Sequence, residues 1–163
     1  MKTGRIDTSF LSARNTLTQR TIGPRCTAIT SLDVSKMKDG DMAGLCLLQK
    51  NYGIVGVKIN GKSRSVIMIN ASTGNAEEVE ALAFDKDVIF FKVECDFTNK
   101  KDVADFFYSL DGKKWIKIGT QLKMSYTLPH FMGYRLGLFN YATKETGGFV
   151  DFDFFHIENE QPD

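Results

Sequence analysis

Along most of the chain, apolar and polar positions alternate with a period of two, the spacing at which side chains leave a strand. Arg25 to Val34 alternates small, β-branched and polar groups, and Thr16 to Thr21 alternates Thr with Leu. Three further strand patterns follow in close succession, Met42 to Gln49, Gly53 to Ile59 and Ser65 to Asn70. In the middle one, Ile54, Gly56 and Lys58 share one face and Val55, Val57 and Ile59 the other, which predicts one buried face and one that is not. Val88 to Phe97 is a long apolar run expected at the centre of a sheet, followed by Val103 to Leu110 and Trp115 to Ile118. Lys2 to Phe10 is mixed but strand-like. The last two strand patterns, Tyr134 to Tyr141 and Phe149 to Ile157, are joined by a polar loop with Gly147 and Gly148 and preceded by an apolar loop of Pro129, His130, Phe131 and Met132.

Turn chemistry separates these runs. Asn60-Gly61 is the strongest hairpin signal, and Asp39-Gly40 and Asp111-Gly112 supply residues that tolerate positive φ. Gly23-Pro24 breaks the chain after the Thr16 to Thr21 run. Ala76 to Ala83 has helix-forming residues but is under three turns long, so it reads as an edge strand carrying Glu77, Glu78 and Glu80. About a dozen short strands without a convincing helix predict an all-β fold, an antiparallel β-sandwich or jelly roll.

The chain has 163 residues, enough for one domain with a substantial core. Thirteen Phe and five Tyr favour strands over helices. Twenty-one basic residues against twenty acidic ones leave a charge of +1, which gives no field to gather nucleic acid or an anionic membrane. Cys26, Cys46 and Cys95 stand in apolar or strand-like runs outside any CxxC spacing, and read as small buried hydrophobes. Residues 1 to 14 hold no apolar leader-like run, so a cytoplasmic setting is expected, or a secreted one if the chain is cut from an exported parent.

Candidate chemistry is sparse. Asp151 and Asp153 alternate on one face of the last strand with Phe152 and Phe154 on the other. That reads first as a polar strand face, with calcium ligation as the second reading. Glycoside hydrolysis needs two carboxyl groups ~5–10 Å apart, and Glu77, Glu78 and Glu80 do not form the Glu-x-Asp-x-x-Glu strand of laminarinase-type sandwich hydrolases. His130 and His156 lack a shared metal-ligand spacing; His130, in the aromatic loop, is placed to reach a ligand, and His156 is structural. No Gly-x-Ser-x-Gly elbow or phosphate-binding loop is present. Sugar recognition on sandwiches lays aromatic rings against pyranose C–H faces and bonds hydroxyls through amide and guanidinium groups. Tyr52, Tyr126, Phe131, Tyr134 and Tyr141, with Arg20, Gln49 and Asn140, provide those groups, although most of these rings would be core residues in any sandwich.

The strings LSARNTLTQRTIGPRC, SLDVSKMKDGDMAGLCLLQKNYGIVGVK, FFYSLDGKKWIKIG and LKMSYTLPHFMGYRLGLFNYATKETGGFVDFDFF together resemble the C-terminal β-sandwich of glycoside hydrolase family 43 enzymes, the β-xylosidases and α-L-arabinofuranosidases. The resemblance runs from about Lys2 to Glu158 and implies a concanavalin-like jelly roll. Members usually carry an N-terminal five-bladed propeller with the catalytic carboxylates; here the propeller and the Trp-containing first strand of the sandwich are absent. The resemblance therefore implies a noncatalytic accessory module whose partners are xylan or xylo-oligosaccharide and a family 43 propeller, with no catalytic residue of its own. In the β-xylosidases a loop aromatic of the sandwich enters the active-site mouth, and the Phe-x-Gly motif carries that role to Phe131. A xylan-binding face on the concave sheet is the other implied role, and Gln49, Tyr52, Asn140 and Arg20 are the residues expected there. Two alternatives stay open: a structural docking domain without sugar affinity, and a glycosidase in its own right.

Overall fold

Nearly every residue of β3 (Asp41–Leu48) and β4 (Gly53–Asn60) is buried, and strands buried on both faces belong in the middle of a sheet. The computed structural model describes residues 1–125 and 133–160. The other strands are β1 (Thr16–Arg20), β2 (Arg25–Asp33), β5 (Ser63–Asn70), β6 (Glu77–Ala83), β7 (Val88–Asp96), β8 (Val103–Ser109), β9 (Ile116–Lys117), β10 (Leu122–Lys123), β11 (Arg135–Ala142) and β12 (Asp151–Glu160). They form two sheets. One has the order β1-β11-β3-β4-β5-β6; the other runs β10-β8-β7-β2-β12, with β9 added beside β8. Every strand pair is antiparallel.

The two sheets enclose the main core. Leu45 and Leu47 of β3, Val55 and Val57 of β4 and Leu136 of β11 meet Ile89, Phe91 and Val93 of β7 and Phe106 of β8. Each such side chain contributes about 1.5–3 kcal/mol by leaving water, so this layer is the main source of stability. Cys26 and Cys95 belong to it and stand directly opposite each other on β2 and β7. The interaction between the two facing thiols draws Cys26 down, while that interaction and burial push Cys95 up. All three cysteines are free and buried, as their apolar surroundings predict.

The turns form where the sequence places them. β4 and β5 close a hairpin at Asn60↔Ser63, with Gly61 at φ 61°. Residues 77–83 form the edge strand β6, and β7 lies in the interior of its sheet. Three expectations change. Lys2 to Phe10 makes only two isolated bridges, Lys2↔Phe149 and Ile6↔Ala142, before a 3-10 turn at Phe10–Ser12. The short β10 adds a strand that its two residues do not announce. In β4 the face carrying Ile54 and Gly56 is buried as well, because other parts of the chain cover it.

One end of the first sheet is tied by Asp39 and Asp41. Asp39 accepts from the Gly61 N–H at 2.6 Å and from Lys144 Nζ at 2.9 Å, joining two turns to the loop before β12. Asp41 is fully buried; its Oδ2 accepts from the Lys38 N–H at 2.8 Å, and the carboxylate fills the space a Cβ on Gly148 would need. Burial pushes its carboxyl above the ordinary range, and the nearby Glu145 adds to this against the opposing Lys38 hydrogen bond. A carboxyl raised in the folded state stabilises most fully below its unfolded value, and that contribution is lost as pH rises through the folded value. The Asp41→Asn variant is therefore expected to gain thermal stability relative to wild type progressively as pH rises above about 4. A difference in melting temperature that stays constant from acid to neutral pH would show that Asp41 titrates normally.

Candidate functional site

The outer face of the first sheet, turned away from the other sheet, carries a second apolar cluster. Phe139 and Tyr141 of β11, Met42 and Cys46 of β3, Ile54 of β4 and Ile67 of β5 all contribute to it. Phe139, Gly44, Gly56 and Ile67 stand in one cross-strand row. The two glycines are required by close approach. A Cβ on Gly44 would overlap the Val55 carbonyl oxygen and come within 2.5 Å of Gly56 Cα, and one on Gly56 would lie 3.3 Å from the Phe139 ring. Without those Cβ atoms the Phe139 ring extends over the neighbouring strands.

Phe10 closes this face from above. Its ring centroid lies 5.1 Å from that of Phe139 at 73°, and 4.8 Å from that of Tyr52. Aromatic pairs at such separations and tilts gain beyond their buried area. The turn that delivers Phe10 is held by Ser12 Oγ, which donates to the Ser9 carbonyl at 2.8 Å and accepts from the Ser9 N–H at 3.3 Å. Tyr141 donates its hydroxyl to Met42 Sδ at 3.3 Å inside the cluster, and burial pushes its phenol up to about 12.

This arrangement decides where the expected sugar-binding residues stand. Tyr52 is 6% exposed under Phe10, and burial raises its phenol. Gln49 is buried just beyond β3. Asn140 is fully buried, pointing to the opposite side from Phe139 and Tyr141; its Nδ2 donates to the Met1 carbonyl at 2.9 Å. Arg20 is exposed at the end of β1, opposite Arg135. Gln49, Tyr52 and Arg20 belong to the end of the sheet from which residues 126–132 depart, whereas Asn140 stands five residues further along β11, about 17 Å away. The four do not line one open cleft. Phe131 and His130, with Tyr126, Pro129 and Met132, lie outside the described residues.

The root of that loop is well defined. Asn51 Nδ2 donates to Ser125 Oγ at 3.1 Å, and the Ser125 N–H donates to the Tyr134 hydroxyl at 3.2 Å. On the other side, the Thr21 hydroxyl donates to the Tyr134 carbonyl at 3.0 Å. The end of β1 is thus bonded to the residue from which β11 starts.

The acidic candidates resolve into structural roles. The register of β12 against β2 shifts between Phe152 and Phe154, so Phe152 packs on the core while Phe154 is 39% exposed. Regular alternation of Asp151 and Asp153 against two inward Phe residues is therefore corrected: the extra residue turns Phe154 outward. Asp151 lies 4.0 Å from Lys36, and no group of three His, Cys, Asp or Glu among the described residues has a metal-holding arrangement, so calcium at Asp151 and Asp153 gains no ligand set. Glu78 pairs with Lys58 at 2.8 Å, and Glu80 accepts from the Gly119 N–H at 2.6 Å. His156 pairs with Glu158 on the surface.

Exposed apolar residues were the group not foreseen. Ile6, Leu11, Leu17 and Ile22 are all exposed, Leu17 at 63%. Among the described residues β1 is an edge strand paired with β11 alone, which leaves its other edge open. The Leu residues of Thr16 to Thr21 carried the signal, but alternation alone does not say that the inward side of β1 lacks a covering strand.

A family model for the β-xylosidase C-terminal concanavalin A-like domain matches residues 1–158. A β-xylosidase of Formosa agariphila is 27% identical over 157 residues, which cover 96% of this chain and 25% of that protein. Among solved structures, a bifunctional GH43-CE protein of Bacteroides eggerthii is 55% identical with a TM-score of 0.96, over 99% of this chain and 21% of that one. A GH43 glycoside hydrolase with an engineered active site, displaying endo-xylanase and exo-arabinofuranosidase activity, is 29% identical with a TM-score of 0.90, over 97% of this chain and 34% of that one. The chain thus spans about a fifth to a third of the length of these relatives.

If Phe10 is what closes the outer face, Phe10→Ala should destabilise the chain by about 3 kcal/mol in urea unfolding. Leu11→Ala, an exposed neighbour on the same turn, should change stability by less than about 0.5 kcal/mol. Equal effects of the two substitutions would mean that the cluster does not depend on its cover. Gly44→Ala is expected to cost about 2 kcal/mol, since the added methyl meets backbone atoms that cannot yield.

Proposed function

Since the chain belongs to the family of β-xylosidase C-terminal concanavalin A-like domains, we propose that it is a noncatalytic accessory domain that docks on the catalytic propeller of a family 43 hemicellulase and completes the mouth of its active site. The observation that carries this reading is the set of exposed apolar side chains on the edge strand β1 and in the segments flanking it in sequence, Leu17 within the strand, Leu11 and Ile22 on either side, and Ile6 further upstream. Side chains of this size gain about 1–2 kcal/mol each on being covered. The edge of β1, unpaired among the described residues, offers hydrogen-bonding groups that a docked partner would satisfy.

The same edge leads to the loop of interest. β1 runs directly into Thr21, which is bonded to Tyr134 at the root of residues 126–132. A body seated on β1 would therefore adjoin the loop bearing Phe131 and His130, where an aromatic side chain can narrow a pocket for short xylo-oligosaccharides. Direct sugar binding on the outer face of the first sheet is not favoured, because Phe10 and Tyr52 occupy it.

The test uses the catalytic part of a parent enzyme, made separately, and this chain added in trans. Adding the chain is expected to raise kcat/KM for xylobiose by about tenfold or more, equivalent to about 1.4 kcal/mol. Leu17→Asp combined with Ile22→Asp should abolish association without lowering the melting temperature of the chain. Phe131→Ala should associate normally and fail to restore kcat/KM. A catalytic part that works equally well with and without the chain would overturn the docking reading.

A further inference from the structure

The outer face of the second sheet is polar where that of the first is closed and apolar. A groove of about 690 Å3 crosses it, lined among others by Arg25, Thr27, Glu94, Asp105, Gln121 and Lys123. That volume is in the range of small-molecule sites. Strand register explains its shape. While Cys26, Cys95, Ala104 and Leu122 face the core, their neighbours point outward in two rows. Thr27, Glu94 and Asp105 form one row, continued by Gln121; Arg25, Asp96, Val103 and Lys123 form the other. Four strands at about 4.8 Å spacing make a track about 14 Å long.

The charges in the groove are satisfied from within. Asp96 is held by Thr98, by Lys101 Nζ at 3.1 Å and by Arg25 at 3.6 Å. Asp105 pairs with Lys117 at 2.7 Å and accepts from Gln121 Nε2 at 3.1 Å. Glu94 pairs with Lys92 at 2.5 Å, and Lys123 donates to the Lys101 carbonyl. Three cations and three carboxylates line the groove, so it presents no net field to select an ion. What it does offer a ligand is hydrogen-bonding capacity: the Thr27 hydroxyl, the Gln121 amide oxygen and the second Glu94 oxygen have no partner among the described residues. Fixed carboxylates and amides of this kind bond hydroxyls, which both donate and accept.

Two rings adjoin the track. Phe107 is two residues beyond Asp105 on β8, and Lys92 Nζ lies 4.5 Å from its centroid and 5.0 Å from that of the half-buried Trp115. An aromatic surface beside a charge-balanced groove of hydrogen-bonding groups matches a ligand with hydroxyl edges and C–H faces. We propose that this groove is a binding track for a neutral, unbranched oligosaccharide, on the sheet opposite to the closed apolar face and separate from the docking edge. It is independent of the docking function, and either can fail alone.

The experiment is a heteronuclear NMR titration of the chain with xylohexaose and, separately, with cellohexaose. Saturable shifts are expected at Thr27, Glu94, Asp105, Trp115 and Gln121 with at least one of the two, at similar affinity in low and high salt. Gln121→Ala and Trp115→Ala should each weaken binding about tenfold or more. Should Trp115→Ala fail to fold, Gln121→Ala decides alone, since that side chain is exposed. Absence of shifts with both sugars at millimolar concentration would overturn the proposal. So would shifts gathered around Phe10 and Tyr52 instead, full affinity in Gln121→Ala, or steep salt dependence.

Discussion

The structure depends on a six-stranded sheet whose central strands are buried on both faces. An antiparallel sheet of a sandwich ordinarily needs only one covered face, since the other can be solvated. Here β3 and β4 have no solvated face for most of their length, and the outer side is sealed by Phe139 extended over Gly44 and Gly56 and by Phe10 above it. The seal is assembled from distant parts of the chain: a turn near the N-terminus, the bend after β3 and the penultimate strand. This long-range closure draws the first fifteen residues onto the sheet, where Asn15 Nδ2 bonds the Asn140 carbonyl at 3.0 Å and the Met1 carbonyl receives Asn140 Nδ2.

Closing that face redistributes what the domain has left for function. On the outer face of the first sheet, Tyr52 and Tyr141, whose side chains suit a sugar, are instead packed with Phe10 and Phe139. The remaining options are an edge, an end and the other sheet. The edge is apolar at Leu17 and Ile22. The end carries a loop rooted by Asn51, Ser125 and Tyr134. The other sheet holds a groove of internally paired charges. An apolar open edge suits a large partner, whereas a neutral polar groove suits a small polyhydroxylated one, because the two surfaces differ in what desolvation returns.

Ion pairs divide by position in a related way. Those in the groove and around Asp39 are partly exposed and contribute little to stability individually, so their effect is to hold side chains in place. Asp41 is different, being buried with no ion pair of its own; its raised carboxyl follows from desolvation, and the hydrogen bond from the Lys38 N–H and the charge of Lys38 offset only part of that cost.

Local chemistry determined much of the architecture without reference to the rest of the molecule. Asn60-Gly61, Asp111-Gly112 and Asp39-Gly40 mark turns because few residues tolerate positive φ, and period-two runs mark strands because the pleat alternates. The edge placement of residues 77–83 and the interior placement of β7 follow from charge and apolar length. The resemblance to family 43 sandwiches was carried by long strings of this kind, and the matched residues 1–158 bear it out. Which face of a strand is covered was not legible, since Ile54 and Gly56 look like an open face until Phe10, from more than forty residues away, is folded over them. Tyr52 and Asn140 were expected at a binding surface for the same reason: their side chains suit sugar recognition, but their neighbours had to be known before their burial was. The shift in β12 had no local signal either, since it arises from pairing with β2. Alternation and turn propensity are properties of adjacent residues, so the chain determined its strands, turns and most of its core; register shifts, sealed faces and grooves are properties of pairs distant in sequence, and those only the tertiary structure decided.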